Sequence, residues 1–181
     1  MLQKYSFLTR VFHWLTAILI SLSLVFGFWM TQRSTANLWD ELTNTLYAWH
    51  KMIGLIILLM TGLRLLIKFR SKRPLYPVNF SRRHIQLARS VQITLYFLLV
   101  LIPLLGWAGV TAFPALIIIG GYHLPKMPGI PEDQALAKQL FEIHGYLVFV
   151  LIAITCGHIV AGLTHLWYKK DGVFSRMWFG K

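Results

Sequence analysis

The chain has 181 residues, of which 56% are hydrophobic, 14% aromatic and only 13% charged. A water-soluble domain of this size needs far more polar surface and a disordered chain far fewer apolar residues, so the composition excludes disorder and indicates a membrane protein. Its single cysteine excludes a disulfide framework and any cysteine-ligated cluster.

Four apolar stretches follow one another along the chain, at about 9–30, 48–69, 92–110 and 140–168. Each can cross a hydrocarbon core of about 30 Å as a helix, which takes roughly 20 residues. Isolated spans have to be helical because backbone groups in lipid must pair internally. The first is too long for the apolar region of a signal peptide, so we expect it to stay in the mature protein. The sequence predicts an all-α membrane protein with a single domain, 1–181, folded as a four-transmembrane-helix bundle.

The formal net charge of +12 is explained by membrane topology. Most basic residues lie in the N-terminal segment, the loop at 70–91 and the C-terminal tail. The other two loops, with the helix ends next to them, hold only four basic residues: Arg33, Lys51, Lys126 and Lys138. By the positive-inside rule, this asymmetry predicts cytoplasmic termini, a basic cytoplasmic loop at 70–91 and an outer capping loop at 111–139. We therefore expect no nucleic-acid partner.

Four histidines lie in or at the ends of the spans: His13, His50, His144 and His158. Ionisable residues in spans are costly and mark functional sites. The 14 residues from His144 to His158 advance a helix by about 21 Å and return it to within roughly 40° of the same face. The fourth span therefore presents one imidazole to His50 at the outer level and another to His13 at the inner level.

Two opposed pairs of neutral imidazoles in an apolar bundle suit two six-coordinate haems, with these four histidines as the axial iron ligands. A zinc site would need three or four ligands at one level, with carboxylate or thiolate help, and nothing acidic lies deep in these spans. A haem-free transporter that relays protons through histidines is the third alternative. A sharp visible absorption band that appears on reduction would exclude this alternative.

The same step of 14 residues leads from His50 to Arg64 and from His13 to Gly27. Arg64 therefore faces the bundle at the inner level, where a haem propionate would need a cation. The alternative is an arginine that snorkels to the membrane surface. Gly27 would leave room for the outer porphyrin, although small residues also serve plain helix contacts in membranes.

The pattern resembles the bacterial cytochrome b561 family of small di-haem membrane cytochromes, over nearly the whole chain. The matching residues are Lys4-Tyr5-Ser6, His13-Trp14, His50 with Gly54 and Arg64, Glu142-Ile143-His144, His158, His165 and Lys170-Asp171. The resemblance implies a bundle that encloses two haem b groups in the bacterial inner membrane. It also implies electron transfer between a donor at the outer surface and ubiquinone.

Some members of this family are superoxide oxidases, so the resemblance implies superoxide as a donor and a superoxide:ubiquinone oxidoreductase activity. If the chain does not oxidise superoxide, the resemblance still implies an electron-transfer protein. The outer side carries four basic and five acidic residues, a balance that does not favour attraction of an anion. The alternative is a cytochrome b anchor subunit of a separate dehydrogenase or reductase, docked through 111–139. His165, close to the cytoplasmic surface, is a candidate quinone-site residue, and its alternative is a simply hydrated histidine. Membrane lipid is the remaining expected partner.

Overall fold

A computed structural model of the protein describes residues 3–70 and 80–179. Its four long helices are α1 (Phe7–Thr35), α2 (Glu41–Arg70), α3 (Arg82–Ala112) and α4 (Gln134–Leu163). Each is long and apolar enough to cross a membrane, with α4 counted through Lys169. The described ranges contain no strand, and the predicted all-α fold with four membrane-spanning helices is confirmed.

Polar side chains just ahead of three helices fix where these helices begin. The side-chain oxygens of Ser6, Ser81 and Asp133 accept hydrogen bonds from backbone amides two or three residues further on, at 2.7–3.3 Å. Each bond satisfies an amide that has no partner within its own helix. At α2 the carboxylate of Asp40 does the same for the amide of Thr43, at 2.9 Å.

The helices are longer than the predicted spans, and the loops between them are shorter than predicted. The predicted basic loop includes residues 82–91, but these residues form the first turns of α3, which begins after the Ser81 cap. The apolar pattern marks only the part of a helix that is able to lie in lipid, so a charged helical extension escapes it. The outer loop shortens to 113–133 for the same reason. Residues 71–79 of the predicted basic loop lie outside the described ranges.

Consecutive helices pack against each other, α1 on α2, α2 on α3 and α3 on α4. The main core joins α2, α3 and α4 and consists of Ile53, Ile57, Leu98, Leu99, Ile102 and Leu151. Helices α1 and α4 meet through ring contacts. One of them joins Phe28 and Phe149, whose ring centroids are 5.9 Å apart.

The loop between α3 and α4 folds back over one end of the bundle, which we call the cap end. Its buried residues Leu116, Ile118 and Leu124 pack against side chains of α2 and α3. The loop reverses direction at Gly120 and Gly121, where φ values of 74° and 76° favour glycine. The loop between α3 and α4 thus covers this end of the bundle.

The other end of the bundle carries the first and the last described residues, and we call it the terminal end. Helix α4 continues into a π-helical turn, Thr164–Lys169, and the chain then crosses to α1. There the indole of Trp14 donates to the carbonyl of Met177 at 2.9 Å, and Arg10 donates to the carbonyl of Trp178 at 2.9 Å. The last described residues therefore hold α1 and α4 together at this end.

Candidate functional site

Both histidine pairs that the sequence predicts are in contact. In the outer pair, close to the cap end, the rings of His50 on α2 and His144 on α4 have centroids 6.2 Å apart and planes at 74°. In the inner pair, towards the terminal end, His13 on α1 and His158 on α4 are also 6.2 Å apart, with planes at 73°. Helix α4 thus contributes one ring to each pair.

The spacing within each pair fits one metal ion held between two imidazoles. Nitrogen ligands bind first-row metals at about 2 Å, which puts the centres of two opposed imidazoles about 6 Å apart. Zinc would need further ligands, and within the described ranges no three His, Cys, Asp or Glu side chains come together. The described residues therefore present two separate pairs of imidazoles and no zinc-type cluster.

Backbone carbonyls fix the orientation of both rings in the outer pair. The Nδ1 atom of His50 lies 3.0 Å from the carbonyl oxygen of Ser23, and Nδ1 of His144 lies 2.9 Å from that of Ile102. A carbonyl only accepts, so Nδ1 carries the proton and donates in both rings. The lone pair is then on Nε2, the nitrogen that is left to bind a metal.

A glycine stands four residues after each of these carbonyls. A Cβ atom on Gly27 would lie 3.1 Å from the ring of His50, and one on Gly106 would lie 3.3 Å from the ring of His144. Both distances are tighter than an ordinary van der Waals contact, so these glycines let the imidazoles approach the helix backbone. Gly27 is expected from the sequence to make room for a porphyrin, but in the structure it lies directly behind the His50 ring and makes room for that ring.

The inner pair has different surroundings. Atom Nη2 of Arg64 lies 3.4 Å from Nδ1 of His13, and the guanidinium sits 5.2 Å from the ring centroid of Tyr96. Among the described residues, Nε of Arg64 has no hydrogen-bond partner. Arg64 is therefore at the level and on the face that the sequence predicts, with donor capacity left for an anionic group.

Two comparisons with known proteins bear on this arrangement. The sequence profile of the prokaryotic cytochrome b561 family matches residues 4–180. The chain belongs to that family. It is also 26% identical over 176 residues to cytochrome b561 homolog 2 of Escherichia coli (strain K12), an alignment that covers 97% of this chain and 91% of that protein. The protein is therefore a multi-pass membrane cytochrome that takes b-type haem and transfers electrons.

The residues beside the histidine pairs fit the haem of a b561 cytochrome. A Cβ atom on Gly54, one turn after His50, or on Gly145 or Gly157, each next to a histidine of α4, would meet no atom within 4 Å. Small residues at these positions leave space for a flat macrocycle beside the rings. Each site thus combines two opposed imidazoles with open space alongside.

His165 lies in the π-helical turn near the terminal end of this family member. Its Nδ1 is 2.7 Å from the Oδ2 of Asp171, and its ring stacks on that of Phe80, with centroids 5.7 Å apart. A cavity of about 200 Å³ adjoins it, lined by His165, Leu166, Lys170, Gly172, Phe174 and Ser175. The sequence identified His165 but not its contact with Asp171, since π-helical turns have no sequence signal comparable to an apolar repeat and are frequent at functional sites.

Proposed function

We propose that the protein carries electrons between a donor on the cap side of the membrane and ubiquinone on the terminal side, through two haem b groups. His50 and His144 would hold one haem and His13 and His158 the other. Haem supplies an iron centre that takes up and releases one electron reversibly. The observation that supports this proposal is the pair of matched imidazole contacts, each 6.2 Å between centroids, built on one shared helix.

The spacing of the two pairs along α4 supports transfer across most of the membrane. Fourteen residues separate His144 from His158, which corresponds to about 21 Å along a helix. This is roughly two thirds of a hydrocarbon core of about 30 Å. A macrocycle at each pair would therefore place one redox centre in each leaflet.

The topology follows from charge. We propose that the terminal end faces the cytoplasm of a bacterium and the cap end faces the opposite side of the inner membrane, because the basic residues cluster at the terminal end. Described examples are Lys4, Arg10, Lys169, Lys170 and Arg176. The cap-end donor then reaches the protein from outside the cytoplasm.

A quinone site is proposed at His165, on the terminal side. The cavity of about 200 Å³ next to this residue is smaller than the roughly 300–1,000 Å³ of pockets for whole drug-sized ligands. It suits a single substituted ring. Carbonyl oxygens of such a ring accept hydrogen bonds, which Lys170, Ser175 and the protonated form of His165 are chemically able to donate.

Superoxide is the donor that family resemblance suggests, but the surface charge gives it little support. At the cap end Arg33 is paired with Asp40, and Lys126 is paired with Glu132. Local neutralisation of this kind weakens the attraction of an anion. Superoxide is therefore one candidate donor, and any donor has to reach the protein from the cap side of the membrane.

Exposed aromatic and apolar side chains at the cap end favour a second candidate, docking of a separate dehydrogenase or reductase subunit. Trp39, Ile117 and Tyr122 are 60%, 54% and 73% exposed, and a cleft of about 530 Å³ runs beside the first two. Aromatic residues are enriched at protein interfaces. Co-purification of a stoichiometric partner subunit with the native cytochrome would support this candidate.

The deciding experiment is a haem count on purified protein. A pyridine haemochrome assay should give two haem b per chain, and a value close to one in fully loaded protein would contradict the two-site proposal. Anaerobic mixing of the reduced protein with a short-chain ubiquinone should then reoxidise it. A superoxide flux from xanthine oxidase, with superoxide dismutase as the control, tests the donor.

A further inference from the structure

The two histidine pairs differ in what lies behind their rings. Both outer rings donate Nδ1–H to a backbone carbonyl, at 3.0 Å for His50 and 2.9 Å for His144. Behind His13 there is a guanidinium instead, with Nη2 of Arg64 at 3.4 Å. For His158, no hydrogen bond to the ring exists among the described residues. A guanidinium has no acceptor atom, so it does not replace a carbonyl in this role.

Both differences act on the iron in the same direction. A carbonyl that accepts from Nδ1–H makes the imidazole a more basic ligand, and a more basic ligand favours the oxidised metal. A nearby cation favours the state with one more electron. The outer rings have the carbonyl acceptors, and the cation that the structure places against a histidine ring, Arg64, belongs to the inner pair. Lys51, next to His50, is turned to the carbonyl of Ala115 instead.

We propose that the outer haem has a lower midpoint potential than the inner haem, so that the hydrogen bonds of the chain set the direction of electron flow from the cap end to the terminal end. In this step the outer iron changes from ferrous to ferric and the inner iron from ferric to ferrous. One electron moves, and no bond or proton is exchanged. This inference rests on the proposed function, because it requires a haem at each pair.

The two glycines behind the outer rings give a way to weaken these hydrogen bonds without removing a ligand. A Cβ on Gly106 would lie 3.3 Å from both Cε1 and Nδ1 of His144, and a Cβ on Gly27 would lie 3.1 Å from Cε1 and 3.3 Å from Nδ1 of His50. Each ring would have to shift at the atom that donates to the carbonyl. Gly162→Ala is the matched control, because its Cβ would make an ordinary contact of 3.8 Å with Phe174.

The experiment is a spectroelectrochemical titration of the haem-loaded protein in detergent, at one salt concentration and pH. His13→Ala and His50→Ala, each with one pair left intact, assign the outer and the inner potential respectively. We expect the lower potential at the outer haem. Gly106→Ala and Gly27→Ala should raise the outer potential and leave the inner one in place, whereas Gly162→Ala should leave the outer potential unchanged.

The outcomes separate the inference from the function on which it rests. Two haems with the higher potential at the outer pair would overturn the inference and leave the di-haem proposal standing. The same holds if both glycine variants keep their haems and show an unchanged outer potential. A single haem per chain would overturn both. If a glycine variant fails to bind haem, the order of the two midpoint potentials in the wild-type protein still tests the inference.

Discussion

The imidazole of His165 and the carboxylate of Asp171 are hydrogen-bonded at 2.7 Å, around the bend where α4 ends. The bend requires one residue in the left-handed conformation, and Lys170 adopts this conformation with φ 49°. Since the carboxylate accepts, Nδ1 of His165 donates to it and Nε2 is free to face a ligand. Asp171 thus orients the ring that we propose for the quinone site.

Replacing Asp171 by Asn should slow quinone reduction by about tenfold or more, because a neutral amide no longer stabilises a protonated His165 during proton transfer. Haem content and the visible spectrum should stay unchanged. Reoxidation of the reduced protein by a short-chain ubiquinone is the measurement. Asp133→Asn, at the cap end, is the matched control, and an equal loss in both variants would contradict a local role for Asp171.

The ionisation of Asp171 gives a pH prediction. Burial alone would raise its pKa, but hydrogen bonds from the Val173 amide and His165, together with the charges of His165 and Lys169, hold the pKa below its ordinary value. A folded-state pKa below the unfolded one adds stability above about pH 4, and this is lost as the pH falls through the folded value. Thermal unfolding should therefore show no step from Asp171 between about pH 5 and 8. An acid loss of stability below about pH 4 that is the same in Asp171→Asn would contradict this assignment.

Single histidine substitutions should sort into two classes. His50→Ala and His144→Ala should each remove the same spectral component and lower the haem count from two to one, because either change leaves one axial ligand of the outer pair. His13→Ala and His158→Ala should remove the other component. His123→Ala, on the exposed cap loop, is the control and should keep both haems. A component lost in both His50→Ala and His13→Ala would mean that the pairs are wrongly assigned.

Arg64→Gln should lower the midpoint potential of the inner haem by on the order of 50 mV, since loss of a nearby positive charge disfavours the added electron. The outer haem should move much less because it lies about 21 Å further along the bundle. Redox titration at matched salt checks this. Arg33→Gln, which removes an ion-paired arginine at the cap end, is the control. Two unshifted potentials would favour an arginine that only reaches for the membrane surface.

Asp133→Ala should destabilise the protein by about 1 kcal/mol, the usual effect of removing a helix N-cap. Its carboxylate accepts from two amides at the start of α4, at 2.7 and 3.0 Å. Thermal unfolding in detergent, followed by loss of helical signal, is the measurement. Asp133→Asn keeps an acceptor at the cap and should stay close to wild type. Equal destabilisation by both changes would indicate that the charge, and not the cap, is what matters.

The bundle and the two histidine contacts were predictable because they depend on simple periodicities. Long apolar runs fix the spans, and a step of 14 residues returns to nearly the same helix face. This is why His144 and His158 could be matched with His50 and His13 from the sequence. The assignment of these four residues as haem ligands stays a prediction until a haem is measured.

The other features depend on contacts that no local pattern encodes. The carbonyls of Ser23 and Ile102 belong to the backbone, which every residue carries, and Ile102 has no polar side chain that would mark it as a partner of an imidazole. At Ser23 the Oγ atom also lies 3.3 Å from Nδ1 of His50, but no local pattern links the two residues. A glycine four residues later is a usable signal only after the neighbouring helix is known. The contact of Asp171 with His165 likewise depends on a π-helical turn and a left-handed Lys170. The start of α3 at Arg82 was missed because hydropathy does not detect a charged helical extension.

The shared helix α4 also dictates the order in which the protein matures. Neither pair is complete until the fourth helix has entered the membrane, since α4 contributes His144 to one pair and His158 to the other. Synthesis proceeds from the N-terminus, so a ribosome-bound intermediate with three inserted helices holds only unmatched histidines. Loading of a cofactor at either pair must therefore follow synthesis of α4, and a chain truncated before α4 would lose both histidine pairs at once.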